Sequence, residues 1–331
     1  MRMPIRNYSI HLRPVLFLLC GGILLLPGMA HAGYILSNIV NAGDPNFNQE
    51  LAINNSGVIA GYFGDGAIVP NNGYTVVSPY GSSNFTAENF PGGVQTQVTG
   101  INNTGETVGF WVDVSGANHG FTDVSGVFES FDDALSSASP VFTQFLGVND
   151  SDEVAGFFMD ATGASHAFTE AGGIFTSLVL ANSSSSTATD VNNSGEVSGF
   201  MTSSSNGDTY GFLNSTLYLY PGSTFTQFLG LNNQGLAVGV YQDSSGNTHG
   251  LVYNSLTGVW QTVDDPFAIA GAGNGTTING INDRGQIVGF YVNANDQTIG
   301  LIGTSVPEPG TLSLLVAGAL LIGTWSRRRR K

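Results

Sequence analysis

The sequence predicts an all-β protein: a six-bladed, β-propeller-like repeat array of four-stranded antiparallel blades, with an N-terminal signal helix and a C-terminal membrane helix. Three observations carry this. An aliphatic residue followed by Asn, with glycines three and seven positions after the Asn, recurs six times. A second marker follows each Asn by 17 or 18 residues. The array also ends one strand short, and the segment before the first marker has the phase of the missing strand. Three parts result: a signal peptide (1–32), a six-repeat domain (33–305) and a C-terminal segment (306–331).

The first part reads as an export signal. Arg2, Arg6 and Arg13 form a charged n-region, and Val15 to Leu26 is an apolar run too short for a comfortable bilayer span. Ala30-His31-Ala32 supplies the small residues that signal peptidase requires, with Gly33 as the mature start. Cys20, the single cysteine, lies inside the apolar run. Bulky Leu19 before it and apolar residues after it disfavour lipoprotein processing. Cleavage after Ala32 leaves a chain without cysteine, which excludes disulfides and thiol chemistry.

The repeats begin at Ile53-Asn54 with Gly57 and Gly61. They continue at Ile101-Asn102, Val148-Asn149, Val191-Asn192, Leu231-Asn232 and Ile281-Asn282, and only the third copy breaks the pattern, with Asp152 for the first glycine. The marker asparagines are 48, 47, 43, 40 and 50 residues apart, a spacing that signals an array. Each repeat reads as four short strands, A to D. In the third, A is Thr143 to Val148, B is Glu153 to Phe158, C is His166 to Glu170 and D is Ile174 to Leu178. Asn starts the A–B turn by bonding its own backbone, and Gly supplies a positive φ. The second glycine falls inside strand B, where a side chain is expected to obstruct a neighbouring sheet. Four strands per roughly 45 residues fit a propeller blade, with a parallel solenoid as the alternative. The phase of the ends favours a closed ring. The last repeat stops after Leu301-Ile302, and Tyr34-Ile35-Leu36 aligns with strand D of another repeat, so the N-terminus is expected to complete the last blade. The serine run Ser183 to Ser186 reads as a flexible connector.

The second marker reads Asn72-Gly73-Tyr74, His119-Gly120-Phe121, His166-Ala167-Phe168, Tyr210-Gly211-Phe212, His249-Gly250-Leu251 and Ile299-Gly300-Leu301. The array resembles extracellular repeats named for a His-Ala-Phe triplet (HAF repeats), which is intact only at His166. That resemblance implies location and architecture rather than a reaction.

At the C-terminus, Val306-Pro307-Glu308-Pro309 precedes the apolar stretch Leu312 to Trp325 and the basic run Arg327 to Lys331. Physically this is a rigid extended tetrapeptide, a short membrane helix and a basic stop on the cytoplasmic side. The order of parts closely resembles the PEP-CTERM sorting signal of Gram-negative bacteria. An ordinary membrane anchor is the plain alternative. The resemblance implies recognition by a membrane-embedded exosortase, export across the inner membrane, transient anchoring, and delivery to the cell surface or extracellular space, often alongside exopolysaccharide.

The whole chain has 9 Lys+Arg against 24 Asp+Glu, and only 10% of its residues are charged, where roughly 25% is usual. Between 33 and 305, Arg284 is the only basic residue, against 23 acids once Glu308 is set aside. Such a surface repels phosphate and excludes nucleic-acid binding. Propeller topology puts B–C turns and blade-to-blade connectors on one face. The B–C turns carry Asp65, Asp113, Asp160 and Asp243, each eleven residues after its marker Asn, and connectors begin with Asp132-Asp133 and Asp264-Asp265. These four turn aspartates are the candidate Ca²⁺ ligands, because Ca²⁺ favours several carboxylate oxygens. The competing reading is that each caps its own turn, and repetition at one position favours it. No other cofactor is indicated. His119, His166 and His249 occupy one repeat position on separate blades, which argues against a shared metal.

The expected role is non-catalytic: a structural or binding module of the cell surface or matrix, associated with polysaccharide through its acidic face. The alternative is a polysaccharide-degrading enzyme using the Asp132-Asp133 and Asp264-Asp265 pairs as facing carboxylates. A plain structural spacer is a third possibility.

Overall fold

The computed structural model describes residues 33–306. The expected terminal helices, the cleavage residues Ala30 and Ala32, and Pro307, Glu308 and Pro309 lie outside the described residues. The described chain forms six four-stranded antiparallel sheets. β1 spans Tyr34–Ile39. Blade 1 contains β2 (Asn48–Ile53), β3 (Ile59–Phe63), β4 (Asn72–Val76) and β5 (Phe85–Ala87). Blade 2 contains β6 (Gln95–Ile101), β7 (Thr107–Val112), β8 (Asn118–Val124) and β9 (Val127–Phe131). Blade 3 contains β10 (Thr143–Val148), β11 (Val154–Met159), β12 (Ser165–Ala171) and β13 (Ile174–Ser177). Blade 4 contains β14 (Ser183–Val191), β15 (Val197–Ser203), β16 (Thr209–Leu213) and β17 (Thr216–Tyr218). Blade 5 contains β18 (Thr226–Leu231), β19 (Leu236–Gln242), β20 (Thr248–Asn254) and β21 (Val259–Val263). Blade 6 contains β22 (Thr276–Ile281), β23 (Ile287–Val292) and β24 (Thr298–Ser305), and β1 is its fourth strand. β1 pairs antiparallel with β24 from Tyr34↔Ser305 to Ile39↔Gly300. The ring therefore closes as the phase of the ends requires, and the solenoid is excluded.

The marker asparagine does two jobs. Its Oδ1 accepts the N–H groups two and four residues on, as in Ser56 and Val58 onto Asn54 at 3.0 Å. This sets the A–B turn, and Gly57 adopts φ +81 within it. Asp152 takes the same left-handed position in blade 3 at φ 61, where a short polar side chain is tolerated. The Nδ2 of each asparagine then donates to the backbone carbonyl of the next blade's asparagine. The series Asn54, Asn102, Asn149, Asn192, Asn232, Asn282 and back to Asn54 is a closed ring of six such bonds, 3.0–3.4 Å long. One residue later, a second closed ring runs from each backbone N–H to the next blade's side-chain Oδ1, through Asn55, Asn103, Asp150, Asn193, Asn233 and Asp283, at 2.8–2.9 Å. A further repeated position guards the start of strand A. There the buried Asn48, Thr96, Thr143, Thr226 and Thr276 each accept an N–H from the connector leading into their blade.

Two expectations are corrected. A Cβ on the second glycine would collide with the strand A backbone of its own blade, not with a neighbouring sheet: Gly109 faces the Gln97 carbonyl and Gly239 the Gln227 carbonyl. The register shifts of strand A sit beside these glycines, so the glycine accommodates a β-bulge. Close approach between sheets is made instead by strand A glycines, such as Gly280, whose Cβ would lie 2.9 Å from the Ala52 Cα of blade 1. The serine run is also not a connector: Ser183–Val191 is β14, the longest strand. Hydroxyls there bond the backbone without breaking the strand, as Ser186 does with the Ala167 N–H at 3.0 Å.

The core lies between blades rather than within one. Val108 of blade 2 packs with Phe145, Val148, Val154 and Phe168 of blade 3, and Ile39, Val288 and Ile302 of blade 6 pack with Ile53, Ile59 and Tyr74 of blade 1. Burial of each such side chain stabilises by about 1.5–3 kcal/mol. Replacement of Asn282 by Ala removes both roles of a ring asparagine: the Arg284 and Gln286 N–H groups lose their acceptor, and the Asn54 carbonyl keeps only the Gly57 N–H. We expect a loss of about 2–3 kcal/mol in denaturant unfolding. The same change at exposed Asn295, whose side chain makes no ring contact, should shift stability by less than about 0.5 kcal/mol.

Candidate functional site

The B–C turns and connectors share one face, as expected. Four of the six B–C turns begin with an aspartate whose Oδ1 accepts N–H groups from its own turn. Asp65 accepts from Ala67, Ile68 and Val69; Asp113 from Ser115 and Ala117; Asp160 from Thr162 and Ala164; Asp243 from Ser245 and Asn247. The Ser115 hydroxyl on Asp113 and the Thr162 hydroxyl on Asp160, with the turn N–H groups on all four, hold the carboxyls below the ordinary range, Asp243 at about 2. The four candidate Ca²⁺ ligands thus stand on blades 1, 2, 3 and 5, each capping its own turn. Among the described residues, no group of three or more His, Cys, Asp or Glu is placed to hold a metal ion.

In three of these turns the second oxygen, Oδ2, faces the histidine six residues on. Asp160 Oδ2 lies 2.8 Å from His166 Nε2, and Asp113 and Asp243 approach His119 and His249 at 3.7 and 3.5 Å. In blades 2 and 5 the other ring nitrogen meets the connector: His119 Nδ1 lies 2.7 Å from Asp132, and His249 Nδ1 lies 2.8 Å from Asp264. The His119 and His249 imidazoles are therefore each held between two carboxylates, whereas His166 faces one. The three Asp-x5-His spacings are legible in the sequence, and they are the signal that could have found these couples. The histidines also stack on strand B aromatics, His119 on Trp111 and His249 on Tyr241, with centroids 4.6 and 5.0 Å apart. A connector aromatic covers the far side: Phe90 on Trp111 at 4.3 Å, and Tyr220 on Tyr241 at 3.6 Å.

The Asp-Asp pairs divide their labour. Asp132 and Asp264 are exposed and bind the histidine of their own blade. Asp133 and Asp265 are buried and cap the Leu135 and Phe267 N–H groups at 2.7 and 2.9 Å. Burial raises the Asp265 carboxyl. The capping leaves Leu135 and Phe267 at equivalent, outward positions, 60% and 71% exposed.

A second concave feature is the central channel, a cavity of about 80 Å³ lined by strand A residues and the two asparagine rings. Leu51, Leu146 and Leu229 line it from alternate blades. At the layer where other blades place Gly or Ala, blade 4 places Asp190, whose carboxylate accepts the Leu231 and Val191 N–H groups at 2.9 Å. Burial pushes its pKa up to about 7, against the effect of those bonds. At the mouth, desolvation opposes ionisation of Asp150 and Asp283. The amides of Asn103 and Asn193, and of Asn233 and Asn55, outweigh it and hold both carboxyls below the ordinary range.

Of the terminal site residues, Gly33 and Val306 are described, and the Val306 N–H donates to the Gly33 carbonyl at 2.8 Å. The PEP-CTERM protein-sorting motif matches residues 305–331. This supports the chain as an exosortase substrate and implies export and cell-surface sorting. No curated protein matches the sequence. The fold is similar to that of AofleA from Arthrobotrys oligospora, at TM-score 0.51 and 8% identity, covering 82% of this chain and 89% of that one. It is also similar to SapL1 lectin in complex with alpha methyl fucoside (TM-score 0.48, 10% identity, 80% and 97% covered). A prolyl endopeptidase matches at TM-score 0.46 and 9% identity, covering 83% of this chain and 43% of that one. At these identities the likeness is one of fold.

Desolvation opposes protonation of His249, but the hydrogen bond and charge of Asp264, with Asp243 behind it, raise its pKa overall. A raised folded pKa stabilises fully below the unfolded value of about 6.5, and this is lost as pH rises through the folded value. His249→Ala should therefore lower the melting temperature more at pH 5 than at pH 9. The pH-dependent part should be at most about 1 kcal/mol, because the pair is partly exposed.

Proposed function

We propose that this protein is an exported, exosortase-sorted component of the surface or matrix of a Gram-negative cell, released from its signal segment by signal peptidase before Gly33. Its propeller acts as a non-catalytic module that holds extracellular polysaccharide on the connector face, and its repeats resemble HAF repeats. The observation that carries this reading is the composition of that face. Carboxylates and imidazoles that bond hydroxyl groups well stand beside exposed Leu135 and Phe267, which offer an apolar surface to a sugar ring. The only cation among the described residues, Arg284, lies on the opposite face, in an A–B turn. The connector face therefore suits a neutral polymer directly and an anionic polymer through bridging Ca²⁺. A non-catalytic role is supported by the engagement of the paired aspartates. Asp132 and Asp264 each bind a histidine of their own blade, and Asp133 and Asp265 cap connectors.

The test is co-sedimentation of the protein with exopolysaccharide from its producing cells, with Ca²⁺ and with chelator. We expect retention that chelator weakens and that the double variant Asp132→Asn/Asp264→Asn reduces at least about tenfold, a loss of about 1.4 kcal/mol. Absence of retention under both conditions would remove the polysaccharide reading. Release of soluble glycan fragments would replace it with a hydrolytic one.

A further inference from the structure

Both ends of the described chain leave the propeller at one corner. β24 ends at Ser305, opposite Tyr34 of β1, and the Val306 N–H to Gly33 bond ties the two exits together. This is the C–D corner of blade 6, so it lies at the outer rim of the face that carries the A–B and C–D turns. The connector face is on the other side.

That rim differs from the connector face in composition. The six C–D corners (77–84, 124–127, 171–174, 214–215, 255–258, and 33–34 with 305–306) contain no charged residue. The acids beside them turn inward: buried Asp123 and Glu170 accept the Gly126 and Gly173 N–H groups. The A–B turns add a second asymmetry. Four residues after the ring asparagine, blades 2, 3 and 4 carry Glu106, Glu153 and Glu196, whereas blades 5, 6 and 1 carry Leu236, Gln286 and Val58. The glutamate-bearing half is the more acidic one; the other half carries a single A–B turn acid, Asp283, next to the cation Arg284, and the exit corner lies in the middle of this second half. Around it Leu256 of blade 5 is 80% exposed, with Ile35 and Val306 of blade 6 and Val77 of blade 1 also outside.

The chain beyond the exit limits how far the propeller can stand from a membrane. From Val306 to the start of the apolar stretch at Leu312 is six residues, at most about 20 Å when extended. The inference rests on the reading of 312–325 as a membrane-inserted stretch. We propose that, while tethered, the propeller sits edge-on at the bilayer. The uncharged corners of blades 5, 6 and 1 rest on the lipid interface, and the connector face is turned outward. The occupant of this rim is the lipid surface itself: apolar side chains enter the interfacial region, and the glutamate-bearing half stays away from anionic headgroups. Gly33 leaves at the same corner, and removal of the N-terminal segment adds there one α-ammonium, which suits an anionic headgroup.

The absence of cysteine after residue 20 makes the test direct. The full chain with Cys20→Ser receives one new cysteine, at Leu256, Ser151 or Val114, and a fluorophore on it. Ser151 marks the acidic half of the same face, and Val114 marks the connector face. The protein is incorporated into phosphatidylethanolamine–phosphatidylglycerol vesicles carrying nitroxide-headgroup lipid. We expect quenching at 256 at least about twofold deeper than at 151 or 114. Equal quenching at 256 and 151 would mean flat docking and would overturn the edge-on geometry, and equal quenching at all three would mean no preferred face. Failure of the protein to float with vesicles would overturn the membrane reading of the tail itself.

Discussion

The closed ring of asparagine amides is the constraint on which the rest of the fold depends. A propeller blade is a twisted sheet whose inner strand would expose unpaired polar groups to a narrow channel. Here each inner strand ends in an asparagine that satisfies its own turn with one atom and the neighbouring blade's carbonyl with another. Six identical links close only if all six blades stand at the same angular spacing. The ring thus fixes blade number and tilt, while the apolar wedges between blades supply most of the favourable free energy. Repeat lengths vary between 40 and 50 residues, but the linked positions do not shift. The variation is absorbed in turns and connectors, where the candidate site lies.

Much of the architecture was legible because repetition averages out local ambiguity. The strands of the third repeat, the turn role of the asparagine and the donation of the N-terminal strand all follow from spacing alone. What escaped required knowing which strands touch. The amide of Asn54 points at a residue 48 positions away, and no window on the sequence contains both. The second glycine was placed correctly but its neighbour was not, because a bulge inside a hairpin leaves no compositional mark. Ser183 to Ser186 misled for a related reason. Polar, small residues read as a linker when isolated, yet tertiary pairing makes them a strand.

The candidate site was half legible. Its face and its aspartates were foreseeable, and so was their role as turn caps. The Asp-x5-His spacing carried the turn half of each histidine couple, but the second carboxylate of His119 and His249 comes from the connector, 13 and 15 residues on, and no local spacing marks it. The aromatic stacks beneath them explain why His occupies this slot in blades 2, 3 and 5. A flat ring with two polar nitrogens can stack on strand B and still face a turn carboxylate, and in blades 2 and 5 a connector carboxylate as well, which Ile299 cannot do.

The closure by β1 carries a consequence in time. The first strand to emerge from the export machinery has as its partner the last, so five blades can assemble while the sixth is still an open half. A chain threaded from its N-terminus holds an unpaired edge until its final residues arrive, and the slow, non-local pairing comes last. Completion of the fold therefore waits for β24, which ends at Ser305, where the sorting motif begins. The order of synthesis makes the seam a clock for delivery.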